Sequence, residues 1–181
     1  DGDGITDQTS TWTYNEDGNI VGEFYDYGDS SQSNTYVYDE NSNLIDVSSE
    51  SDTDGDGIVD EIYSYVVEYD ATTWQIKSKS EEYAYDTDGD GTVDVTEATS
   101  YVYDYENMTT VITIDNDIDG DGAVDSTSSY TYNFDATGYY VESVDVDSDG
   151  DGTVDETWQY YTSEEDVAGN TTYEAYDENI D

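Results

Sequence analysis

Large rings recur at every second residue through much of this chain: Trp12 and Tyr14; Tyr63, Tyr65 and Tyr69; Tyr101, Tyr103 and Tyr105; Tyr130, Tyr132 and Phe134; Trp158 and Tyr160. In a β-strand, residues two apart share a face, so this period predicts strands with a row of rings on one side. The intervening positions are mostly Thr, Ser, Val and Gln, which suit a pleated, half-solvated surface. Turn-forming clusters close the strands at Asn15–Gly18, Asp39–Ser42, Asp70–Thr73 and Asp135–Gly138. A second run then leads back, as in Val111–Ile114 or Tyr139–Val146. The chain has no proline to break a ladder, and no useful stretch of 3.6-residue periodicity. The pattern predicts an all-β fold of tandem β-hairpin repeats with helices almost absent. An antiparallel meander and a β-spiral or solenoid-like array both satisfy it, and flat, spiral and sandwich arrangements all stay open.

Between the hairpins a nine-residue motif returns. Asp52–Asp60, Asp86–Asp94, Asp117–Asp125 and Asp147–Asp155 all read D-x-D-G-D-G-x-V-D, and Asp1-Gly2-Asp3-Gly4-Ile5-Thr6-Asp7 matches it from the third position onward. The wider gap between the first two copies holds an internal echo, Trp12–Ile20 against Tyr36–Leu44. About six units follow, at 1–27, 28–51, 52–85, 86–116, 117–146 and 147–181. In the second, Gly28–Ser33 stands where the acidic loop is expected. No basic-then-apolar leader begins at Asp1, and the chain opens inside a copy of the motif, as expected of a processed or excerpted segment.

Alternating Asp side chains on a curled backbone are what a hard cation requires, since Ca²⁺ takes six to eight oxygens at about 2.3–2.6 Å. Positions 1, 3 and 5 supply carboxylates from Asp52, Asp54 and Asp56; Asp86, Asp88 and Asp90; Asp117, Asp119 and Asp121; Asp147, Asp149 and Asp151. The glycine at position 6 permits a sharp turn. Position 7 (Ile58, Thr92, Ala123, Thr153) offers a backbone carbonyl, so its side chain is free to vary. The valine at position 8 is expected to pin the loop to the body. Position 9 (Asp60, Asp94, Asp125, Asp155) completes the set directly or through water. Asp1, Asp3 and Asp7 form a partial fifth site, so the expected cofactor is Ca²⁺ in four complete loops and one partial one.

These loops resemble the calcium loops of EF-hand proteins and the D-x-D-x-D-G-x-x-D loops of thrombospondin type 3 repeats, dockerins and integrin-type propeller blades. The EF-hand resemblance implies an acidic ligand at position 12, which only the Asp86 loop has, as Glu97. The flanks are strands, so the loop chemistry carries over and the helix pair does not. Between the loops, Trp12–Ile20 and Tyr36–Leu44 resemble the YD repeats of bacterial cell-surface and toxin-shell proteins, which build strand spirals.

Composition sharpens this picture. Asp and Glu number 48 against two lysines, Lys77 and Lys79, for a formal charge of −46. Such a surface repels phosphate backbones and anionic lipid, which argues against nucleic-acid binding, and no 18-residue apolar run argues for membrane insertion. Without His or Cys there is no imidazole base, thiol nucleophile or nitrogen/sulfur zinc site, and no carboxylate pair stands apart from the loops, so no enzyme is expected. Leu, Ile, Val and Phe make up only 29 of 181 residues, a composition that predicts disorder unless something besides a core holds the chain. Nineteen of the 32 Asp lie in the five loops, so the chain is expected to be unfolded without calcium and folded with it.

The function expected from all this is an extracellular or cell-surface, calcium-stabilised structural protein assembling head to tail into a fibre, with Asp181 of one copy completing the site at Asp1 of the next. The alternatives are a calcium-dependent adhesin stalk, a glycan-binding module using its tyrosine-rich faces, and an acidic scaffold that buffers many cations.

Overall fold

The alternation of rings and hydroxyls is realised as twelve strands in a computed structural model that describes residues 8–134, 140–165 and 171–179. They are β1 (Thr9–Tyr14), β2 (Ile20–Asp26), β3 (Ser31–Tyr38), β4 (Leu44–Asp52), β5 (Glu61–Tyr69), β6 (Ile76–Tyr85), β7 (Val95–Asp104), β8 (Thr109–Asp117), β9 (Ser126–Phe134), β10 (Tyr140–Asp147), β11 (Glu156–Glu165) and β12 (Thr171–Asn179). Each pairs antiparallel with its sequence neighbours, giving one open meander in the order β1 to β12, with no helix among the described residues. The meander is the simpler of the two arrangements expected.

Register puts the rings on one face. Val67, Lys79, Tyr101, Ile112, Tyr130, Val144 and Trp158 are successive partners across β5 to β11. The adjoining row on the other face runs Val66, Ser80, Ser100, Thr113, Ser129, Asp145 and Thr157. On the ring face the aromatics pack on one another: Tyr63 and Tyr83, cross-strand partners, lie 4.8 Å apart, Tyr101 and Tyr103 of β7 stack at 6.5 Å, and Tyr103 stacks at 6.2 Å on Tyr105, the first residue past the strand. Lys79 lies over Tyr101 at 4.3 Å and near Tyr65 at 5.7 Å, with Glu81 3.2 Å away.

A single layer has no interior in the usual sense. Among the described residues only Val67, Ala84 and Val144 are buried apolar side chains. The chain exposes 11802 Å², against about 8,800 Å² for a compact monomer of its 20.2 kDa. Strand ladders and ring-on-ring contacts therefore carry the fold, because no second layer covers either face.

The two ends of the sheet are chemically different. Among the described residues the odd-to-even connections are tight turns, each opened by an Asn or Asp whose Oδ1 accepts amides two to four residues on: Asn15 from Asp17 and Asn19, Asp39 from Asn41 and Asn43, Asp70 from Thr72 and Thr73, Asp104 from Glu106 and Asn107. Each carries one residue in the left-handed region, Gly18, Ser42, Trp74 or Met108. The last turn was not among those the sequence marked, and the one at Asp135–Gly138 lies outside the described residues. The even-to-odd connections after β4, β6, β8 and β10 are the acidic loops, which a meander of this order places side by side along the opposite end. The first such connection is short: Tyr27 donates its amide to the Ser30 carbonyl at 2.9 Å, and Gly28 turns with φ 89°. Only Gly28–Ser30 of the expected loop replacement is turn, since Ser31–Ser33 already belong to β3.

Candidate metal centres

Each acidic loop is folded by its own first aspartate. Both oxygens of Asp52 accept backbone amides, Oδ1 from Gly55 at 2.6 Å and Oδ2 from Gly57 at 2.9 Å. Asp86 does the same with Gly89 and Gly91, Asp117 with Gly120 and Gly122, and Asp147 with Gly150 and Gly152, all at 2.6–2.8 Å. These amides curl the chain around the carboxylate, which needs positive φ at both glycines: 69–77° at position 4 and 84–92° at position 6. Asp86 and Asp147 are buried by this wrapping, at 8% and 7% exposure.

The position-5 carboxylate turns inward as well. Oδ1 of Asp56, Asp90, Asp121 and Asp151 accepts the position-7 amide of Ile58, Thr92, Ala123 and Thr153, each at 2.8 Å. Position 9 is held by position 2. Oδ2 of Asp60 accepts both the amide and the hydroxyl of Thr53, at 2.7 and 2.5 Å, and Asp94 and Asp155 are held in the same way by Thr87 and Ser148. The hydroxyl, and after it the amide, pulls the carboxyl of Asp60, Asp94 and Asp155 below the usual carboxylate range. Asp125 receives only the Ile118 amide, at 2.7 Å, because its position 2 has no hydroxyl.

The result in every complete loop is three carboxylates that each bring one oxygen within 4.8 Å of the others: Asp52, Asp54 and Asp60; Asp86, Asp88 and Asp90; Asp117, Asp119 and Asp125; Asp147, Asp149 and Asp155. Oxygens on opposite sides of a Ca²⁺ ion stand about 4.6–5.2 Å apart, twice the bond length, so these triads fit within one coordination shell. Neither lysine offsets their charge. Lys77 pairs with Glu68 at 2.8 Å and Lys79 with Glu81 at 3.2 Å, both on the strands.

The grouping differs in detail from the sequence expectation. Asp56, Asp121 and Asp151 lie outside the triads of their loops, as does Asp94 of the Asp86 loop. Glu97 is the third residue of β7, opposite Tyr83 and Asn116 and apart from the grouped carboxylates. Asp1, Asp3, Asp7 and Asp181 lie outside the described residues. The expectation that valine at position 8 anchors each loop is corrected at two of four positions: Val124 and Val154 are 43% and 52% exposed. A single-layer sheet offers no core for them to enter. The hydroxyl at position 2, present in three loops, and the glycine at position 4, present in all four, recur in the sequence, but their roles emerge only from these hydrogen bonds.

Successive loops are two strands apart, about 9.5 Å, and they touch. A Cβ at Gly55 would lie 2.8 Å from the Asp29 carbonyl carbon in the short turn, and one at Gly120 would lie 2.5 Å from the Val93 carbonyl oxygen and 2.9 Å from Asp94 Cα. At Gly150 it would overlap the Val124 carbonyl oxygen. Between the Asp52 and Asp86 loops the fit is looser. A Cβ at Gly89 would meet nothing within 4 Å, and a cleft of about 490 Å³ opens there, lined by Asp54, Asp60, Glu61, Asp86 and Asp88 among others. This pair meets instead where the Asp86 amide donates to the Asp60 carbonyl at 2.9 Å, and where Ile58 Cγ2 would stand 3.7 Å from a Cβ at Gly91.

No family model, curated protein or solved structure matches this chain.

Proposed function

We propose that this chain is a calcium-stabilised structural repeat array that works outside the cell and assembles head to tail into a fibre. The observation that carries the reading is the row of four carboxylate triads along one end of a sheet that has almost no buried core. Ca²⁺ suits them better than Mg²⁺, which demands near-ideal octahedral geometry and keeps more of its water. Loops of this kind in extracellular modules bind at about 10⁻⁴ to 10⁻³ M, matched to calcium outside cells. Binding energy then becomes folding energy, because the ion bridges groups that repel one another in its absence.

Assembly is supported by the parity of the sheet. With twelve strands, β12 runs opposite to β1. A second copy adding its β1 to β12 therefore continues the antiparallel order and keeps every loop at the same end. Such a heterologous contact propagates without closing.

Calorimetry and far-ultraviolet circular dichroism test the metal reading. Four to five Ca²⁺ per chain and loss of β signal in chelator are expected, and an unchanged spectrum in chelator refutes it. Electron microscopy and sedimentation in calcium test assembly. Filaments that dissolve in chelator are expected, whereas a monomer at every concentration refutes the fibre and leaves the metal reading standing. A glycan-binding role is the second reading, favoured by the stacked row Tyr101, Tyr103 and Tyr105 with Tyr105 51% exposed. Glycan-array binding by the monomer would support it.

A further inference from the structure

The loops are not independent neighbours. Gly120 donates its amide to Asp117 Oδ1 at 2.8 Å, so it belongs to the frame of a triad carboxylate. It also lies so close to the main chain of Val93 and Asp94, the end of the preceding loop, that a Cβ added to it would come within 2.5 Å of the Val93 carbonyl oxygen and 2.9 Å of Asp94 Cα. One step along, Gly150 donates to Asp147 Oδ1 at 2.8 Å, and a Cβ added to it would overlap the Val124 carbonyl oxygen and lie 3.1 Å from the Asp125 carbonyl carbon. Asp125 is itself a triad member. A continuous path of contacts thus runs from one cluster to the next: carboxylate of Asp125, its backbone, Gly150, carboxylate of Asp147.

Resting on the calcium reading above, we infer that the loops fill as a coupled series, with the position-4 glycines Gly120 and Gly150 as the positioning residues that transmit the state of each loop to the next. An ion that fixes positions 8 and 9 of one loop builds the surface on which the next loop's position 4 rests. That surface holds the amide that orients the next position-1 carboxylate. Coupling of this kind is reciprocal, so filling the later loop also favours the earlier one. It is strongest from Asp117 to Asp147, where Asp125 is a triad member, and it runs from Asp86 to Asp117 through the main chain of Asp94, whose carboxylate lies outside the Asp86 triad. The position-4 contact is missing between Asp52 and Asp86: Gly89 has open space, and the two loops meet instead through the Asp86 amide on the Asp60 carbonyl and through Ile58, whose Cγ2 lies 3.7 Å from where a Cβ at Gly91 would stand.

The glycines provide a matched control. Gly120 and Gly122 have φ of 69° and 84°, so alanine strains the backbone at both, but a Cβ at Gly122 meets nothing within 4 Å. Calcium titration of the whole chain, followed at the amide resonances of Gly55, Gly89, Gly120 and Gly150, reads each loop separately. In D117N/D119N the Asp147 loop is expected to lose about five-fold or more in affinity, and in D86N/D88N the Asp117 loop does the same. In D52N/D54N the Asp86 loop changes least. Gly120→Ala abolishes the dependence of the Asp117 loop on the Asp86 loop, while Gly122→Ala weakens its own loop and keeps that dependence. If either glycine variant fails to fold in saturating calcium, the aspartate variants alone decide. Loss confined to the substituted loop in every aspartate variant overturns the inference and leaves calcium binding intact. Absence of any calcium binding overturns both.

Discussion

At the residue scale, the loop is a set of hydrogen-bonded constraints on carboxylates. The position-2 hydroxyl is the clearest case, because three loops have it and the Asp117 loop does not. A hydrogen bond contributes about 0.5–1.5 kcal/mol net, or roughly two- to ten-fold in affinity. Ile118→Thr is therefore expected to tighten calcium at that loop by about this factor, and Thr53→Val, which frees the triad member Asp60, to weaken the Asp52 loop similarly. Loop-resolved calcium titration measures both, and equal affinities in mutant and parent would refute the role given to position 2. At the turn end, Met108 holds φ 55° in the left-handed region with its side chain 43% exposed. Met108→Gly should raise stability by up to about 1 kcal/mol, since glycine enters that region without a Cβ penalty. A lower thermal midpoint in that variant would count against strain at this turn.

At the scale of elements, hairpins depend on turn chemistry and on the row of side chains across the ring face. Hydrogen bonds from Asn43, the Thr73 and Thr72 amides, and Asn107 lower the carboxyls of Asp39, Asp70 and Asp104 respectively. A carboxylate lowered on folding adds stability that is complete above its unfolded value, about 4, and is lost as the pH falls through the lower folded value. The stability difference between Asp104→Asn and the parent chain is accordingly expected to shrink from pH 6 to pH 3, followed by thermal melts in calcium. A difference independent of pH would refute it. Lys79 tests the ring face. Its ammonium over Tyr101 suggests that Lys79→Gln costs about 0.5–1 kcal/mol, whereas Lys77→Gln removes the same charge from an exposed pair and should change little. Equal effects would mean that only net charge matters.

For the whole molecule, the governing quantity is charge in a layer too thin to hide anything. Four dications would bring the formal charge from −46 to −38, so repulsion among strands persists even when the loops are filled. Salt should therefore stabilise the calcium form, as the Debye length falls from about 30 Å at 0.01 M to about 8 Å at 0.15 M. The thermal midpoint is expected to rise over that range at constant calcium, and a falling midpoint would indicate that attractive ion pairs dominate instead. Magnesium at equal concentration should restore less β signal than calcium after chelation.

Strand periodicity, the ring face, the turns and the nine-residue loops were legible in the sequence because each is set by residues within about ten positions of one another. Alternation dictates which face a side chain takes, and Asp and Gly at fixed offsets dictate how a loop curls. The order of the sheet, its single layer and the placement of the four described acidic loops along one end belong to the tertiary structure, because they depend on strand pairing between units. The same holds for position 4. Gly55, Gly89, Gly120 and Gly150 are equivalent in the sequence, but the neighbouring connection leaves Gly89 open and sets the other three against backbone. Val124 and Val154 were misread for the matching reason: an apolar residue at a fixed position becomes an anchor only if a core lies beneath it, and a one-layer sheet provides none.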